Sequence, residues 1–436
     1  MVNKRLEKYA LFSKGFRGLP DGWHNLRACN FLVGENSTGK SSFLQLIQLI
    51  DSREHMVLFD ICGVVDGIDT AFDVCSRLAN CKETTIGFLI KERPDEDRKS
   101  YRGTFGRLAT YKKVNEEMQL QRLTMVSGDN ILRLKRSKDR ISYRFDTFLY
   151  NSEISHAGNG KQVELLHFKT GDKFRNHYEV IWPEVSEIAA WHEALSHAVF
   201  KSEDKRERRI LNSYSPLRCL HHGPIRAQTR RLYHGSNSEF SSTGEHTPFL
   251  LRDMLIEGSE LAQSIEDFGA ASGLFDRILT TSVRTAIKDK PFALQVEKSG
   301  SFFYVDELGY GVGQVLPIIS DIAFASGTHA FLIQQPELHL HPRAQAALGD
   351  VFLKSAESGG TFVIETHSDF IIDRYRLKHK QSDNGPKSQI IYFEKLGDGT
   401  NQAYEIELNS DGTMGNIPDS YRSFFLNESM DKFENL

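Results

Sequence analysis

The chain has 436 residues, 39% of them hydrophobic and 26% charged, which is typical of a soluble globular protein with two or three structural units. Its net charge of −4 excludes a global attraction to nucleic acid or to a membrane surface, so a DNA contact would need a local basic patch. No apolar run approaches the roughly 20 residues that a membrane helix needs.

The N-terminal residues and the cysteines point to the cytoplasm. Residues 1–7 lack the apolar stretch of a signal peptide. The five cysteines are odd in number and contain no C-x-x-C pair, so we expect reduced thiols rather than a disulfide framework.

Residues 34–41 form a complete G-x-x-x-x-G-K-[ST] phosphate-binding loop between a strand-like run and a helix-like pattern. Glycines allow backbone N–H groups to face phosphate oxygens, and the new helix presents its positive end. Lys40 is expected to reach the β- and γ-phosphates and Ser41 to ligate Mg²⁺. The predicted nucleotide-binding residues are Gly34, Glu35, Asn36, Ser37, Thr38, Gly39, Lys40, Ser41 and Ser42. Phe12 or Phe16 could stack on the base, although a core role is the favoured interpretation.

The next elements divide the chain into three predicted units. Runs at 85–90, 130–134 and 141–145 have the composition of strands. A helix is predicted from Pro183 and another over 250–287, after which helices alternate with strands. We therefore predict an N-terminal lobe with the P-loop and a β-rich arm (1–182), a helical insertion (183–290) and a C-terminal lobe (291–436).

Three later segments carry polar residues in positions that suit a nucleotide site. Residues 309–314 are a glycine-rich turn before an apolar helix. Residues 331–342 are an apolar strand that ends in polar residues, as Walker B strands do, and 361–368 are a further strand ending in a histidine. Each segment alone is weak, because turn glycines and packed histidines are common. The candidate site residues are Gly311, Gly313, Gln314, Gln334, Gln335, Glu337 and His367.

The order of these segments resembles the ABC-type ATPase head. The runs 331–346, 365–370, 309–317 and 222–227 look like the OLD/RecF-like AAA_15 and AAA_21 ATPases of prokaryotic defence, and most like the ATPase subunits of Septu anti-phage systems. The resemblance implies an α/β P-loop head with an antiparallel β arm and a helical insertion. It also implies ATP and Mg²⁺ as ligands, pairing of heads into a homo-oligomer, and contact of Gly311, Gly313 and Gln314 with a neighbouring subunit's γ-phosphate.

The chain departs from a hydrolysing head at the Walker B strand end. Gln334 and Gln335 occupy the places where such heads usually carry an acidic pair. Glutamine can hydrogen-bond to a hydrated metal or to water, but it cannot accept the water's proton. We therefore expect Ser41 and Gln334 at the metal and slow or absent hydrolysis. Glu337 or Glu365 could supply a substitute carboxylate.

No nuclease centre is recognisable, so the resemblance to Septu implies a separate HNH nuclease as partner. Basic clusters offer possible DNA contacts, although most charge runs are simply solvated. The preferred cluster is Arg133, Lys135, Arg136, Lys138 and Arg140. The other clusters are Lys205, Arg206, Arg208 and Arg209, and then Arg226, Arg230 and Arg231.

Other functions remain open from the sequence. A RecF- or Rad50-like DNA-repair ATPase uses the same head, but the insertion contains no long heptad region for a coiled-coil arm. The ATPase of a PARIS or retron system would have a different effector. An inactive scaffold would retain its nucleotide without responding to it.

Overall fold

The computed structural model describes residues 9–75, 81–92, 103–138, 140–147, 156–174, 176–180, 186–201, 217–237, 239–256, 260–282, 291–382 and 385–421. The strands are β1 (Tyr9–Lys14), β2 (Gly22–Asn25), β3 (Cys29–Gly34), β4 (Glu83–Glu92), β5 (Gly103–Val114), β6 (Glu117–Ser127), β7 (Asn130–Arg136), β8 (Arg140–Thr147), β9 (Asn176–Glu179), β10 (Cys219–His222), β11 (Arg277–Ser282), β12 (Phe292–Lys298), β13 (Ser301–Tyr304), β14 (Ala330–Gln334), β15 (Thr361–Glu365), β16 (Ser388–Lys395) and β17 (Asn401–Leu408). The helices are α1 (Lys40–Asp51), α2 (Arg53–Leu58), α3 (Ala71–Val74), α4 (His156–Phe168), α5 (Glu187–Lys201), α6 (Thr247–Ile256), α7 (Glu260–Ser272), α8 (Tyr310–Ala325), α9 (Pro342–Glu357) and α10 (Asp369–His379).

The strand before the P-loop lies inside a six-stranded sheet with the order β10-β14-β15-β3-β16-β17. Neighbours from β10 to β16 pair in parallel, and β17 pairs antiparallel with β16. Parallel strands are covered on both faces, which explains the continuous apolar runs of β3, β14 and β15. Their carboxyl ends meet at one edge of the sheet, where α/β sheets bind ligands.

Helices cover both faces of this sheet. α1 packs on one face through Phe43 and Ile47, which are fully buried in the same core as Leu332 of β14. α8 and α9 cover the other face through Ile318 and Phe352, which share a second core with Ile333. The alternation of Leu332 and Ile333 between the two cores follows from the two-residue period of a strand.

The β-rich arm is an eight-stranded antiparallel sheet with the order β2-β1-β4-β5-β6-β7-β8-β9. The predicted runs 85–90, 130–134 and 141–145 lie in β4, β7 and β8. α4 covers one face through Val163, and α5 covers the other through the fully buried Trp191. The predicted fold class, an α/β P-loop head with an antiparallel arm, is confirmed.

The range 183–290, predicted as a helical insertion, is not wholly helical. β10 within it forms the edge of the central sheet, and β11 pairs with β12. The helix predicted over 250–287 is two helices, α6 and α7, followed by β11, because the pairing partners of β11 lie after residue 290 and gave no local signal. The helix start predicted at Pro183 lies outside the described residues, and the division into three units stays a prediction. Among the described helices, none is long and apolar enough to cross a membrane.

Candidate nucleotide site

The P-loop glycines occupy positions that exclude a side chain. Gly34 has a φ of 141°, and a Cβ there would lie 2.0 Å from the carbonyl oxygen of Phe393. Gly39 has a φ of 109° and precedes α1, and its Cβ would lie 2.7 Å from the carbonyl oxygen of Gly18. Both positions therefore need glycine for conformation and for space.

Lys40 begins α1 with its ammonium group folded into the loop. Its Nζ donates to the carbonyl oxygens of Gly34 at 2.8 Å and of Glu35 at 2.6 Å, and only 4% of the residue is exposed. Burial lowers the pKa of Lys40, while Glu365 and Glu35 act in the opposite direction. A buried cation held by backbone carbonyls fits an anionic ligand, because phosphate oxygens are stronger acceptors for an ammonium group than carbonyls are.

The P-loop opens into a cleft of about 560 Å³. This volume lies within the range of small-molecule sites. The lining residues are Arg17, Gly18, Asn36, Ser37, Gly39, Lys40, Ser41, Ser42, Phe72, Asp73, Cys75, Gln335 and Glu365. Phe12 and Phe16 are buried at 1% and 0% exposure and do not line the cleft, as the core interpretation predicts. The aromatic side chain at the cleft is Phe72, which is 56% exposed and was missed from the sequence.

Glu365 supplies a carboxylate beside the P-loop serine. The Ser41 hydroxyl donates to its two oxygens at 3.1 and 3.0 Å, and the Gln334 amide donates to Oε2 at 3.1 Å. The carboxylate comes from β15 rather than β14, because β15 lies between β14 and β3 in the sheet. The available sequence signal was an acid at the end of an otherwise apolar run.

Gln334 and Gln335 lie at the strand end where the sequence placed them. The backbone oxygen of Gln334 accepts from Arg226 at 2.9 Å. Gln335 has a positive φ of 43°, and its N–H donates to the carbonyl oxygen of Glu365 at 2.8 Å. A non-glycine residue with a positive φ is uncommon and marks a tight turn at the strand end.

Glu337 and His367 form a separate contact outside the cleft lining. The Glu337 carboxylate accepts from the His367 N–H at 2.6 Å and from the Thr366 hydroxyl at 2.9 Å. Burial raises the pKa of Glu337 above its ordinary value, although these hydrogen bonds counteract the effect. The His367 ring is exposed. Of the two substitute carboxylates considered from the sequence, Glu365 is therefore the one that contacts Ser41.

The glycine-rich segment is the first turn of α8 rather than a turn before it. A Cβ on Gly311 would lie 2.7 Å from the carbonyl oxygen of His339, and one on Gly313 would lie 2.7 Å from Cγ2 of Thr229. The Gln314 amide donates to the carbonyl oxygen of Arg226 at 3.5 Å. Close packing of α8 is thus sufficient to explain both glycines, and this segment does not line the cleft of its own chain.

The preferred basic cluster needs a correction at Arg133. Its side chain is 3% exposed, and its guanidinium forms ion pairs with Asp146 at 2.6 Å and Asp172 at 2.5 Å. Arg136, the second member with a partner, pairs with Glu187 at 3.0 Å. Arg133 is excluded as a phosphate contact because its charge is already neutralised inside the arm.

The other two basic clusters are Arg226, Arg230 and Arg231, and Lys205, Arg206, Arg208 and Arg209. Arg226 is 3% exposed and lies under the Walker B strand end, so it is not a surface contact. Arg231 pairs with Glu307 at 2.5 Å. The cluster at 205–209 lies outside the described residues.

Strand order and P-loop together are those of a P-loop nucleotide-binding head. The AAA_21 family model, described as "AAA domain, putative AbiEii toxin, Type IV TA system", matches residues 29–373, and the chain belongs to this family. A search of curated proteins finds no significant match.

Solved structures of SMC heads are similar in outline. A head bound to the C-terminal winged-helix domain of ScpA has 12% identity and a TM-score of 0.41, covering 92% of this chain and 98% of that one. The head from Thermotoga maritima has 11% identity and a TM-score of 0.37, covering 92% and 99%. A head with an extended coiled coil, bound to ScpA from Pyrococcus furiosus, has 12% identity and a TM-score of 0.39, covering 98% of both chains. Likeness at this level carries no argument about function.

Proposed function

We propose that the protein binds ATP with Mg²⁺ and hydrolyses it slowly or not at all. The observation that carries this proposal is the convergence of Lys40, Ser41, Gln335 and Glu365 on one cleft. These residues come from three segments of the chain: about 300 residues separate Ser41 from Gln335, and helix α9 and strand β15 lie between Gln335 and the carboxyl end of β15 at Glu365. Such convergence is expected of a ligand site and not of a simple glycine turn.

The side chains at the cleft also fit magnesium. The Ser41 hydroxyl and the Glu365 carboxylate are hard oxygen donors, which Mg²⁺ prefers, and it usually completes its shell with phosphate oxygens and water. Bound magnesium would neutralise charge on the β- and γ-phosphates. Lys40 would hold the phosphates, and Gln334 would keep Glu365 in place through the hydrogen bond at 3.1 Å.

ATP affinity with Mg²⁺ and with EDTA tests both parts of this proposal. Lys40→Ala should weaken ATP binding on the order of 100-fold, because it removes a buried cation from the phosphates. Glu365→Gln should remove most of the gain that Mg²⁺ gives and leave affinity in EDTA within about twofold. Lys298→Ala, which removes an exposed lysine that does not line the cleft, is the matched control for Lys40→Ala. Unchanged ATP affinity in Lys40→Ala would refute the site.

Slow hydrolysis is proposed because amides replace the usual acids at the end of β14. Loss of a general base typically lowers a rate by about 10²–10⁴-fold. Turnover of several ATP per second by the purified protein would refute this part of the proposal while leaving ATP binding intact.

Pairing of two heads is proposed from the family resemblance, with the first turn of α8 from one copy facing the γ-phosphate of the other. Gly311, Gly313 and Gln314 stand at a helix N-terminus, which favours anions. Gln314→Glu should suppress an ATP-dependent dimer in sedimentation velocity, because it places a like charge near the phosphate. A wild-type chain that stays monomeric at saturating ATP would contradict the pairing.

The biological role we propose is control of a partner nuclease in an anti-phage complex of the Septu type, with an HNH protein as partner. Membership in a family described by toxin–antitoxin function supports a defence role. Co-purification with the HNH protein of the neighbouring reading frame, with nuclease activity that depends on ATP, is the test. A neighbouring Toprim protein or reverse transcriptase would instead favour a PARIS or retron system, and a DNA-repair ATPase would need neither.

The arm retains a basic surface after Arg133 is excluded. Arg122 of β6 is the register partner of Lys135 of β7, and like charges directly opposite destabilise a sheet. Lys138 and Arg140 are exposed nearby. Within the described residues, none of these four is placed in an ion pair. We propose that this surface contacts nucleic-acid phosphates.

Salt dependence of binding to duplex DNA tests the arm surface. Lys135→Glu combined with Arg140→Glu should weaken binding and reduce the slope of log affinity against log salt by about one for each lost phosphate contact. The exposed Lys395→Glu is the matched control. An unchanged affinity and slope would exclude the arm as the contact.

A further inference from the structure

A chain of hydrogen bonds extends from the P-loop helix to the edge strand of the central sheet. Ser41 of α1 donates to Glu365 of β15, and Gln334 of β14 donates to the same carboxylate at 3.1 Å. Nε2 of His221, on β10, lies 3.3 Å from Oε1 of Gln334. Four elements that are distant in sequence thus meet in one continuous polar path.

The direction of each hydrogen bond follows from the chemistry of the groups. The Gln334 side chain has one donor end, the NH₂ group, and one acceptor end, the oxygen. Because the NH₂ end faces Glu365, the oxygen end faces His221. An amide oxygen only accepts, so His221 must carry its proton on Nε2 and donate it.

We propose that His221 is a positioning residue that fixes the amide orientation of Gln334 and thereby holds Glu365 beside Ser41. This inference rests on the proposed magnesium–ATP site. Without the His221 donor, the amide keeps its NH₂ group on Glu365 but loses the contact at its oxygen end. The Gln334 side chain is then held at one end only, so Glu365 is less firmly fixed in the position that Mg²⁺ requires.

The pH dependence of His221 distinguishes a positioning role from proton transfer. Burial lowers the pKa of His221, with the Gln334 contact and Asp66 opposing this shift and Arg226 adding to it. The neutral ring donates from Nε2, and a protonated ring also donates from Nε2. A positioning role therefore persists when pH falls through the histidine pKa, whereas a role as proton acceptor would be lost.

The test compares a substitution that removes the donor with one that keeps it. His221→Met has a similar size and no N–H, so the affinity for ATP in Mg²⁺ should fall about 2- to 12-fold, the equivalent of one hydrogen bond. Affinity in EDTA should stay unchanged. His221→Gln keeps an N–H donor and should restore affinity to within about twofold of the wild type.

A double-mutant cycle with Gln334→Met gives two readouts. With nucleotide, His221→Met should cause no further loss of Mg²⁺-dependent ATP affinity in the Gln334→Met background. Without nucleotide, the effects of the two substitutions on the free energy of unfolding should be non-additive. Wild-type ATP affinity in His221→Met, or fully additive effects, would overturn the role. If His221→Met and the wild type have the same ATP affinity at a pH below the histidine pKa, that result would also overturn the positioning role, in favour of proton transfer. A wild-type chain whose ATP affinity ignores Mg²⁺ would overturn the proposed magnesium site, while a persisting nucleotide-free coupling would still support the His221–Gln334 contact.

Discussion

The end of the central sheet and the antiparallel arm both carry polar side chains that looked functional in the sequence, yet the fold uses them differently. At the sheet end, Ser41 and Glu365 face an open cleft with Lys40 beside them. In the arm, Arg133 is enclosed by Asp146 and Asp172 and cannot reach a ligand. The difference shows that a charged residue type is a poor guide to function until its partners are known.

The same contrast extends to histidines. In the arm, His167 is buried between two threonines, with Nε2 2.7 Å from the Thr110 hydroxyl and Nδ1 2.7 Å from the Thr124 hydroxyl. At the sheet end, His221 directs its ring to Gln334 at the cleft side of the sheet. Within the arm, His167 and Arg133 are satisfied by internal partners, whereas the sheet end leaves groups directed at a site.

The largest expected effect comes from breaking the internal pairing of the arm. Arg133→Met leaves Asp146 paired only with Arg144 and Asp172 only with Lys169, and should lower the free energy of unfolding by about 3 kcal/mol, the lower end of the cost of breaking a buried ion pair. Chemical denaturation measures this change. The exposed Lys135→Met should alter stability by less than about 0.5 kcal/mol. Equal stability of the two variants would contradict a structural role for Arg133.

The next effect concerns catalysis at the sheet end. Gln335→Glu places a carboxylate at the cleft where a general base is absent, so ATP turnover should rise by about 100-fold. A coupled phosphate-release assay measures the rate, and Gln335→Asn is the control without a base. If Gln335→Glu stays as slow as the control, the glutamine is not what limits hydrolysis.

Acid should destabilise the arm through its buried histidine. Burial lowers the pKa of His167 to about 3, with Arg122 and Arg133 adding to the shift. As pH falls below the ordinary histidine pKa of 6.5, the unfolded chain binds a proton at His167 and the folded chain does not. The stability that the neutral histidine gives above pH 6.5 is therefore lost progressively as pH falls towards 3. The loss between pH 7 and pH 5 should be about 2 kcal/mol from this group.

Comparison with His167→Gln isolates that contribution, because His24 and His55 are also buried with pKa values lowered to about 4 and about 3. Denaturation curves of the wild type and His167→Gln at pH 8, where the histidines are neutral, give the change in the free energy of unfolding that comes from altered packing alone. The difference between the proteins should then shrink by about 2 kcal/mol at pH 5. A pH-independent difference would show that His167 does not titrate on unfolding in this range.

The smallest effect is expected at the mouth of the cleft. Phe72→Ala removes the exposed aromatic ring and should weaken ATP binding about fivefold if the ring stacks on adenine. Phe72→Ala should leave the binding of triphosphate alone unchanged, because that ligand has no adenine, and this measurement is the control. Equal loss for both ligands would indicate that Phe72 shapes the phosphate site instead.

Much of the nucleotide site was predictable because its residues are contiguous. The spacing of Gly34, Gly39, Lys40 and Ser41 encodes a local strand–loop–helix unit, and the structure has that unit. The positions of Gln334 and Gln335 at a strand end also followed from a local apolar run. The arm strands were predictable for the same reason, because alternation and turn residues are local signals.

The contacts of individual side chains were not predictable. Arg133 and Lys135 are two residues apart on one strand face, yet only Arg133 meets the carboxylates of Asp146 and Asp172. His221 and His222 are adjacent, yet they face opposite sides of the sheet, and His222 lies 3.4 Å from Asp321 of α8. Local sequence gives the alternation but not the identity of the neighbours.

The sequence by itself determined that this chain has a phosphate-binding loop and that its Walker B strand ends in amides. Only the tertiary structure decided which carboxylate lies beside the P-loop serine. Glu365 reaches Ser41 because long-range pairing inserts β15 between β14 and β3. Strand order depends on contacts between segments hundreds of residues apart, and such contacts are set by the packing of the whole sheet rather than by any local pattern.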